Sequence, residues 1–154
     1  MHAETDRLLV RPFAEDDAAG LHEILSDSEV MRYIEAPFSA EQTRAFLREN
    51  GLSRPPRIFA VIRKSDGALI GQLILHPWDE AATELGWILR RDCWGRGYAG
   101  ELTEAIIAEA DRDLVIECSP AQSATRHIAE KHGFRPCGES GGLLVFRYRT
   151  KKEL

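Results

Sequence analysis

Glu84-Leu-Gly-Trp-Ile-Leu-Arg-Arg-Asp-Cys-Trp-Gly-Arg-Gly-Tyr-Ala-Gly-Glu101, continuing to Ala110, is the stretch whose reading decides the fold. It opens as an alternation, with Glu84, Gly86 and Ile88 on one face and Leu85, Trp87 and Leu89 on the other, the period of a strand. Gly95, Gly97 and Gly100 break that pattern, and apolar residues return at Leu102, Ile106 and Ala110 with helical spacing. The chain therefore passes from a strand through a glycine-bearing loop into a helix N-terminus. Such a junction offers unpaired backbone N–H groups and the positive end of a helix dipole, which together suit a phosphate. Gly95 and Gly97 permit close backbone approach, and Arg90, Arg91 and Arg96 bring positive charge. A tight strand–turn–helix with solvated arginines has the same local pattern, so the rest of the chain must decide between them.

Upstream, Arg7 to Phe13 is a short apolar run that Pro12 marks as an edge strand. Acidic residues at Ala14–Asp17 precede an apolar stripe of Ala18, Leu21, Ile24 and Leu25, a first helix through Ser26. Ser28 to Phe38 is irregular yet apolar, and Pro37 bars a helical continuation. Ser39 with Gln42 is a capping box that opens a second helix, with Ala45 and Phe46 facing inward. Ser53–Arg57 is a loop. Ile58–Ile62 and Ala68–His76 form a hairpin through an Asp-Gly turn, and Gly71 predicts a bulge or a close backbone approach.

Downstream, Leu114–Cys118 is a short buried strand and Ala121–His132 a helix stopped by Gly133, with Ala121, Ala124, Ile128 and the stem of Lys131 on its covered face. Arg135–Gly138 and Leu143–Thr150 close the chain as a hairpin through Glu139-Ser-Gly-Gly142, with a basic tail from Arg147 to Lys152. The order is strand, two helices, three strands, helix, strand, helix, two strands: a mixed α/β layer with one βαβ crossover at its centre.

At 154 residues one domain is expected, long enough for a hydrophobic core. Hydrophobic residues at 44% and charged residues at 29% exclude a disordered chain. A net charge of −5 argues against non-specific binding to nucleic acid, so an anionic ligand needs a local cluster such as the three loop arginines. Cys93, Cys118 and Cys137 have neither disulfide nor zinc spacing, which fits a reduced, cytoplasmic setting. The start, Met-His-Ala-Glu-Thr-Asp, is not a secretory signal, and no segment reaches membrane-span length. His127 and His132 are five apart, off the spacing that puts two ligands on one helical face, and no metal site is expected.

Four pieces in order, spanning nearly the whole chain, resemble the GNAT superfamily of acyl-CoA N-acyltransferases and its RimJ/RimL-like ribosomal-protein N-acetyltransferase branch. They are Thr5-Asp-Arg-Leu-Leu-Val-Arg-Pro-Phe13; Glu29-Val-Met-Arg-Tyr33 with Pro37 and Ser39-Ala-Glu-Gln42; Glu84-Leu-Gly-Trp87 with Trp94-Gly-Arg-Gly-Tyr-Ala99 and Glu101; and Glu130-Lys-His-Gly-Phe134. The resemblance implies residues 1–154 as a single N-acetyltransferase domain. Its fold would be a mixed, mostly antiparallel sheet of about seven strands flanked by about four helices. It departs from the family at Trp94, where Arg or Gln is usual; at Gln122 and Thr125, where Asn and Ser or Ala are usual; and at Ala129, where many members carry a Tyr that protonates the leaving thiolate.

The resemblance implies acetyl-CoA as co-substrate and no metal. Its pyrophosphate would be held by the loop of Trp94, Gly95, Arg96, Gly97, Tyr98, Ala99 and Gly100. Ile88 and Leu89 would offer backbone groups to the pantetheine arm, and Gln122 would assist. Attack on a thioester needs an uncharged amine, so a base must take a proton. Glu84 is the candidate, with His76 and Asp79 as rivals and a solvent-facing or ion-paired Glu84 as the plain alternative. Thr125 would hydrogen-bond the departing thiolate, or else bond its own backbone in the first helical turn. Arg32 and Tyr33 would lie where the acceptor enters, or Tyr33 would be a core residue. Trp78 and Trp87 are packing residues, and Cys118 is a buried thiol rather than a nucleophile. The acceptor would be a small-molecule or peptide amine, a ribosomal-protein N-terminus included, in a cytoplasmic protein that is a monomer or homodimer and binds no nucleic acid or membrane. The competing expectation is a non-catalytic acyl-CoA-binding or sensing module of the same fold.

Overall fold

Leu8–Arg11 alternates buried and half-buried residues and forms the first full strand, β2, and the two-residue β1, Ala3–Glu4, pairs antiparallel beside it. Arg7–Phe13 is therefore not the edge that Pro12 suggests. A two-residue strand carries no periodicity, so nothing in the sequence could announce β1. The computed structural model describes residues 1–151, and Lys152, the end of the expected basic tail, lies outside the described residues.

β3 (Ile58–Arg63) and β4 (Ala68–Pro77) form the expected hairpin, with Gly67 at φ 71°. The register shifts at Val61/Ile62, and a Cβ added to Gly71 would lie 2.4 Å from the Ile88 carbonyl oxygen. Both devices expected at Gly71, a bulge and a close approach, are present. β5 (Ala82–Leu89) leads through α3 (Tyr98–Glu109) to β6 (Asp113–Cys118), which pairs parallel with β5 from Ala82↔Asp113 to Glu84↔Val115. This is the predicted βαβ crossover. After α4 (Ser123–Lys131), the strands β7 (Arg135–Ser140) and β8 (Leu143–Tyr148) close the chain. Only Gly141 and Gly142 turn that hairpin, both at positive φ, as a two-residue primed turn requires. Glu139 and Ser140, expected in the turn, belong to β7.

Among the described residues, eight strands hydrogen-bond in the order β1-β2-β3-β4-β5-β6-β8-β7, mostly antiparallel with one parallel pair, and four α-helices accompany them. The strand beyond the seven expected is β1. Among the described residues, no helix is long and apolar enough to cross a membrane.

The chain divides into two compact units, the first Met1–Ile74 with Trp87–Tyr98, the second Leu75–Gly86 with the chain from Ala99 onward. In the first, Leu21, Ile24 and Leu25 of α1 (Ala18–Leu25) share a core with Leu47, Ile58, Ala60, Ile62 and Ile88. Val30 and Met31 join it, which explains an irregular segment too apolar for a surface loop. The capping box at the start of α2 (Ala40–Phe46) is closed both ways: Gln42 N donates to Ser39 Oγ at 3.1 Å, and Ser39 N to Gln42 Oε1 at 2.8 Å. In the second unit, Ala82, Val115 and Val145 form a small core with Trp78 against it. The covered face of α4 is centred on Ala129, fully buried, whereas Ala121, Ala124 and Lys131 are exposed. The helix starts at Ser123, so Ala121 is not helical and the expected stripe loses its first member.

Candidate active site

In the first unit a single turn of 3-10 helix, Arg91–Cys93, carries the chain from β5 to the glycine loop. Residues 94–97 are exposed, and Gly95 and Gly97 sit at φ 71° and 82°. A Cβ is disfavoured in that region, so both turns call for glycine. A Cβ added at Gly95 would meet nothing within 4 Å, so the space over the loop is open and any side chain there would enter it. α3 starts at Tyr98, where a helix presents the positive end of its dipole. Exposed backbone donors, a helix start and the cation of Arg96 fit a pyrophosphate.

The charge around the loop is smaller than the sequence implies. Arg90 is held by Asp92 at 2.7 Å and Arg91 by Asp27 at 2.8 Å, so of the three arginines only Arg96 is left without a carboxylate partner among the described ion pairs. Arg96 Nε donates to the Asp92 carbonyl at 3.0 Å. The Tyr98 ring is buried, leaving only its main chain for a ligand. Trp94 is 48% exposed, yet its indole Nε1–H donates to the Leu89 carbonyl at 3.0 Å. That bond engages the carbonyl of Leu89, which with Ile88 is expected to offer backbone groups to the pantetheine arm. The Ile88 and Leu89 side chains are core, as expected. Arg32 and Tyr33 are exposed, with the guanidinium 5.2 Å from the ring centroid, so Tyr33 is not a core residue.

In the second unit, α3 continues through Ala99, whose carbonyl accepts from the buried Thr103 hydroxyl at 2.8 Å. A Cβ on Gly100 would come 3.4 Å from the His132 ring, an ordinary contact, so packing does not require glycine there. Gln122 Oε1 accepts from Ser119 N at 2.8 Å and braces the turn between β6 and α4. Thr125 is half-buried in the first turn of α4, and among the described residues its hydroxyl has no hydrogen bond to its own backbone. Burial pushes the Cys118 thiol pKa up, which suits an inert thiol.

The same unit brings two of the three candidate bases together. His76 Nε2 lies 3.6 Å from Glu84 Oε2, and both side chains are largely shielded. His76 Nδ1 is 3.1 Å from the Pro77 carbonyl oxygen, which can only accept, so this contact is satisfied by the tautomer with its hydrogen on Nδ1. In a neutral His76, Nε2 then presents a lone pair to Glu84, and a proton received by this pair has two sites to occupy. Asp79 is a poorer acceptor. It takes the Ala81 N–H at 2.8 Å and faces Arg147 at 3.4 Å, and the hydrogen bond from Ala81 leads the causes that hold its carboxyl below the usual range.

Sequence reasoning missed one carboxylate. Glu117 stands on β6 two residues past Val115, the last registered partner on β5's neighbour, and so shares the face of Glu84. Burial first, and then the charge of Glu84, push its pKa up. The only signal was a glutamate inside a strand otherwise apolar from Leu114 to Cys118. Among the described residues no cluster of His, Cys, Asp and Glu could hold a metal ion.

A family model described as an acetyltransferase (GNAT) domain matches residues 7–135. An uncharacterized N-acetyltransferase, YnaD of Bacillus subtilis, is 31% identical over 142 residues, covering 88% of this chain and 83% of its own length. The crystal structure of a GNAT-family acetyltransferase from Bacillus anthracis superposes with a TM-score of 0.86 at 27% identity, covering 99% of this chain and all of that one. RimL, a ribosomal L7/L12 alpha-N-protein acetyltransferase solved with coenzyme A, shares the fold at TM-score 0.79 and 18% identity, covering 97% of this chain and 98% of its own.

Proposed function

The chain belongs to the acetyltransferase (GNAT) family, whose members use acetyl-CoA, and on that premise we propose that it acetylates a primary amine by direct attack in a ternary complex, with Glu84 as general base. The observation that carries the proposal is the shielded pair of Glu84 and His76. An ammonium cannot attack a thioester, and acetyl-CoA supplies only the activated acyl group. The proton must pass to the chain, and Glu84 receives it with His76 Nε2 beside it as a second site. Gly95, Arg96, Gly97 and Ala99 hold the pyrophosphate, Ile88 meets the pantetheine arm through its backbone, and Thr125, near the positive end of α4, steadies the leaving thiolate. Ala129 is buried where many relatives carry a tyrosine, so the thiolate takes its proton from solvent or from the proton lodged on Glu84 and His76.

Arg32 and Tyr33 are proposed to meet the acceptor, a protein N-terminus or small-molecule amine, in a RimJ/RimL-like, cytoplasmic enzyme that works as one domain over residues 1–154. RimL's action on ribosomal L7/L12 motivates including ribosomal N-terminal peptides in the test. The test is free-thiol release from acetyl-CoA over a panel of peptides, polyamines, amino acids and amine drugs. Turnover of any class supports the proposal. Binding of acetyl-CoA with no turnover across the panel supports a sensing module instead.

Glu117 adds a pH dependence of stability. Its folded pKa is raised, so folding favours its protonated form. Ionised Glu117 therefore destabilises the fold above its folded pKa, and the penalty disappears below the unfolded one. Glu117→Gln is expected to raise Tm at pH 7, with the gain vanishing as pH falls below the ordinary glutamate range. Melting curves from pH 7 down to about pH 4 check this; a pH-independent shift would remove the assignment.

A further inference from the structure

We infer that Arg7 is a positioning residue of the phosphate-binding loop, turning the Arg96–Gly97 peptide so that the Gly97 N–H faces the pyrophosphate. The inference rests on the proposed role of that loop and concerns a residue to which the sequence assigns no function.

Arg7 precedes β2 and is 89 positions from Arg96, yet its Nη2 donates to the Arg96 carbonyl at 2.9 Å. Its guanidinium carbon lies 4.3 Å from the centroid of the buried Tyr98 ring, the first residue of α3. A Cβ added to Gly97 would come 3.5 Å from the same Nη2. One side chain therefore touches the residue before Gly97 and the residue after it.

A planar trans peptide holds its C=O and the following N–H in opposite directions. With the Arg96 carbonyl turned onto Arg7, the Gly97 N–H points away from the guanidinium. Gly97 at φ 82° has no side chain to fix its orientation, and the loop is exposed. Without the tether, that peptide is free to rotate its carbonyl outward, where it would repel an anion. The geometry also explains why the residue is arginine. A guanidinium stacks its plane on a ring while donating in that plane to a carbonyl, and an ammonium cannot do both. Arg96 folds back through its Nε onto Asp92, so the two ends of the loop are tied independently.

The test compares calorimetric Kd values for coenzyme A, which has the pyrophosphate, and pantetheine, which lacks it, in wild type, Arg7→Ala and Arg7→Lys. Melting temperature checks that each variant is folded. Arg7→Ala is expected to weaken coenzyme A about tenfold and pantetheine less than about twofold, consistent with loss of one charge-assisted, preorganised contact. Arg7→Lys keeps the charge without the stacked fork and is expected to remain at least about fivefold weak. Parallel losses for both ligands would make Arg7 merely structural and overturn the inference, and so would full recovery with lysine, which would make it a charge alone. A wild type that binds coenzyme A no better than pantetheine would remove the phosphate-loop reading and Arg7's role with it.

Discussion

Glu84→Gln is expected to lower kcat by about 10² or more at pH 7 while acetyl-CoA affinity stays within a few-fold, the usual scale for removing a positioned general base. Gln is nearly isosteric with Glu, and the residue lies within β5, where its backbone is registered against Val115. The strand therefore survives the change, and the loss falls on proton transfer. The defect should shrink as pH rises, because a deprotonated amine needs no base. His76→Gln separates the two members of the pair: it should cost less than Glu84→Gln if histidine only shares the proton, and as much if it is the base. Steady-state kinetics from pH 6 to 10 with the best amine of the panel decide this. A Glu84→Gln enzyme at full rate at pH 7 would place the base elsewhere.

Gly97→Val is expected to weaken acetyl-CoA binding by at least about tenfold, measured by calorimetry on folded protein. Gly97 has φ 82°, where an L-residue is disfavoured by about 1–2 kcal/mol and a β-branched one by more. The added Cβ would also stand 3.5 Å from Arg7 Nη2, an ordinary contact, so backbone conformation rather than a clash drives the effect. Relief of that strain rotates the peptide that presents the Gly97 N–H. Unchanged affinity would remove the loop from the cofactor site. Gly100→Ala serves as the comparison: its Cβ would meet the His132 ring at 3.4 Å, an ordinary contact, and Gly100 is not among the glycines at positive φ, so no comparable loss is expected.

Much of the architecture follows from short-range rules. The strand–glycine–helix order from Glu84 to Glu109 is written in a change of period from two to 3.6, and the parallel pairing of β5 with β6 follows from the helix between them. Capping at Ser39, the turn at Gly67 and the stop at Gly133 are each decided by one or two residues, because each satisfies a local backbone group or dihedral. The glycine loop and its family were legible for the same reason.

What the sequence could not decide are the partners of each side chain, since these come from elements far apart in the chain. It offered Arg90, Arg91 and Arg96 as one cationic cluster; Asp27, 64 positions from Arg91, takes one of them and Asp92 another. It presented His76 and Glu84 as rivals, and adjacent strands made them a pair. It left Arg7 without a role and Glu117 inside an ordinary buried strand. Local sequence determined where the backbone could offer phosphate donors and a carboxylate. Tertiary structure decided which charges stay available and which polar groups lie within reach of one another, because electrostatic coupling depends on distance and burial, and neither is a property of sequence separation.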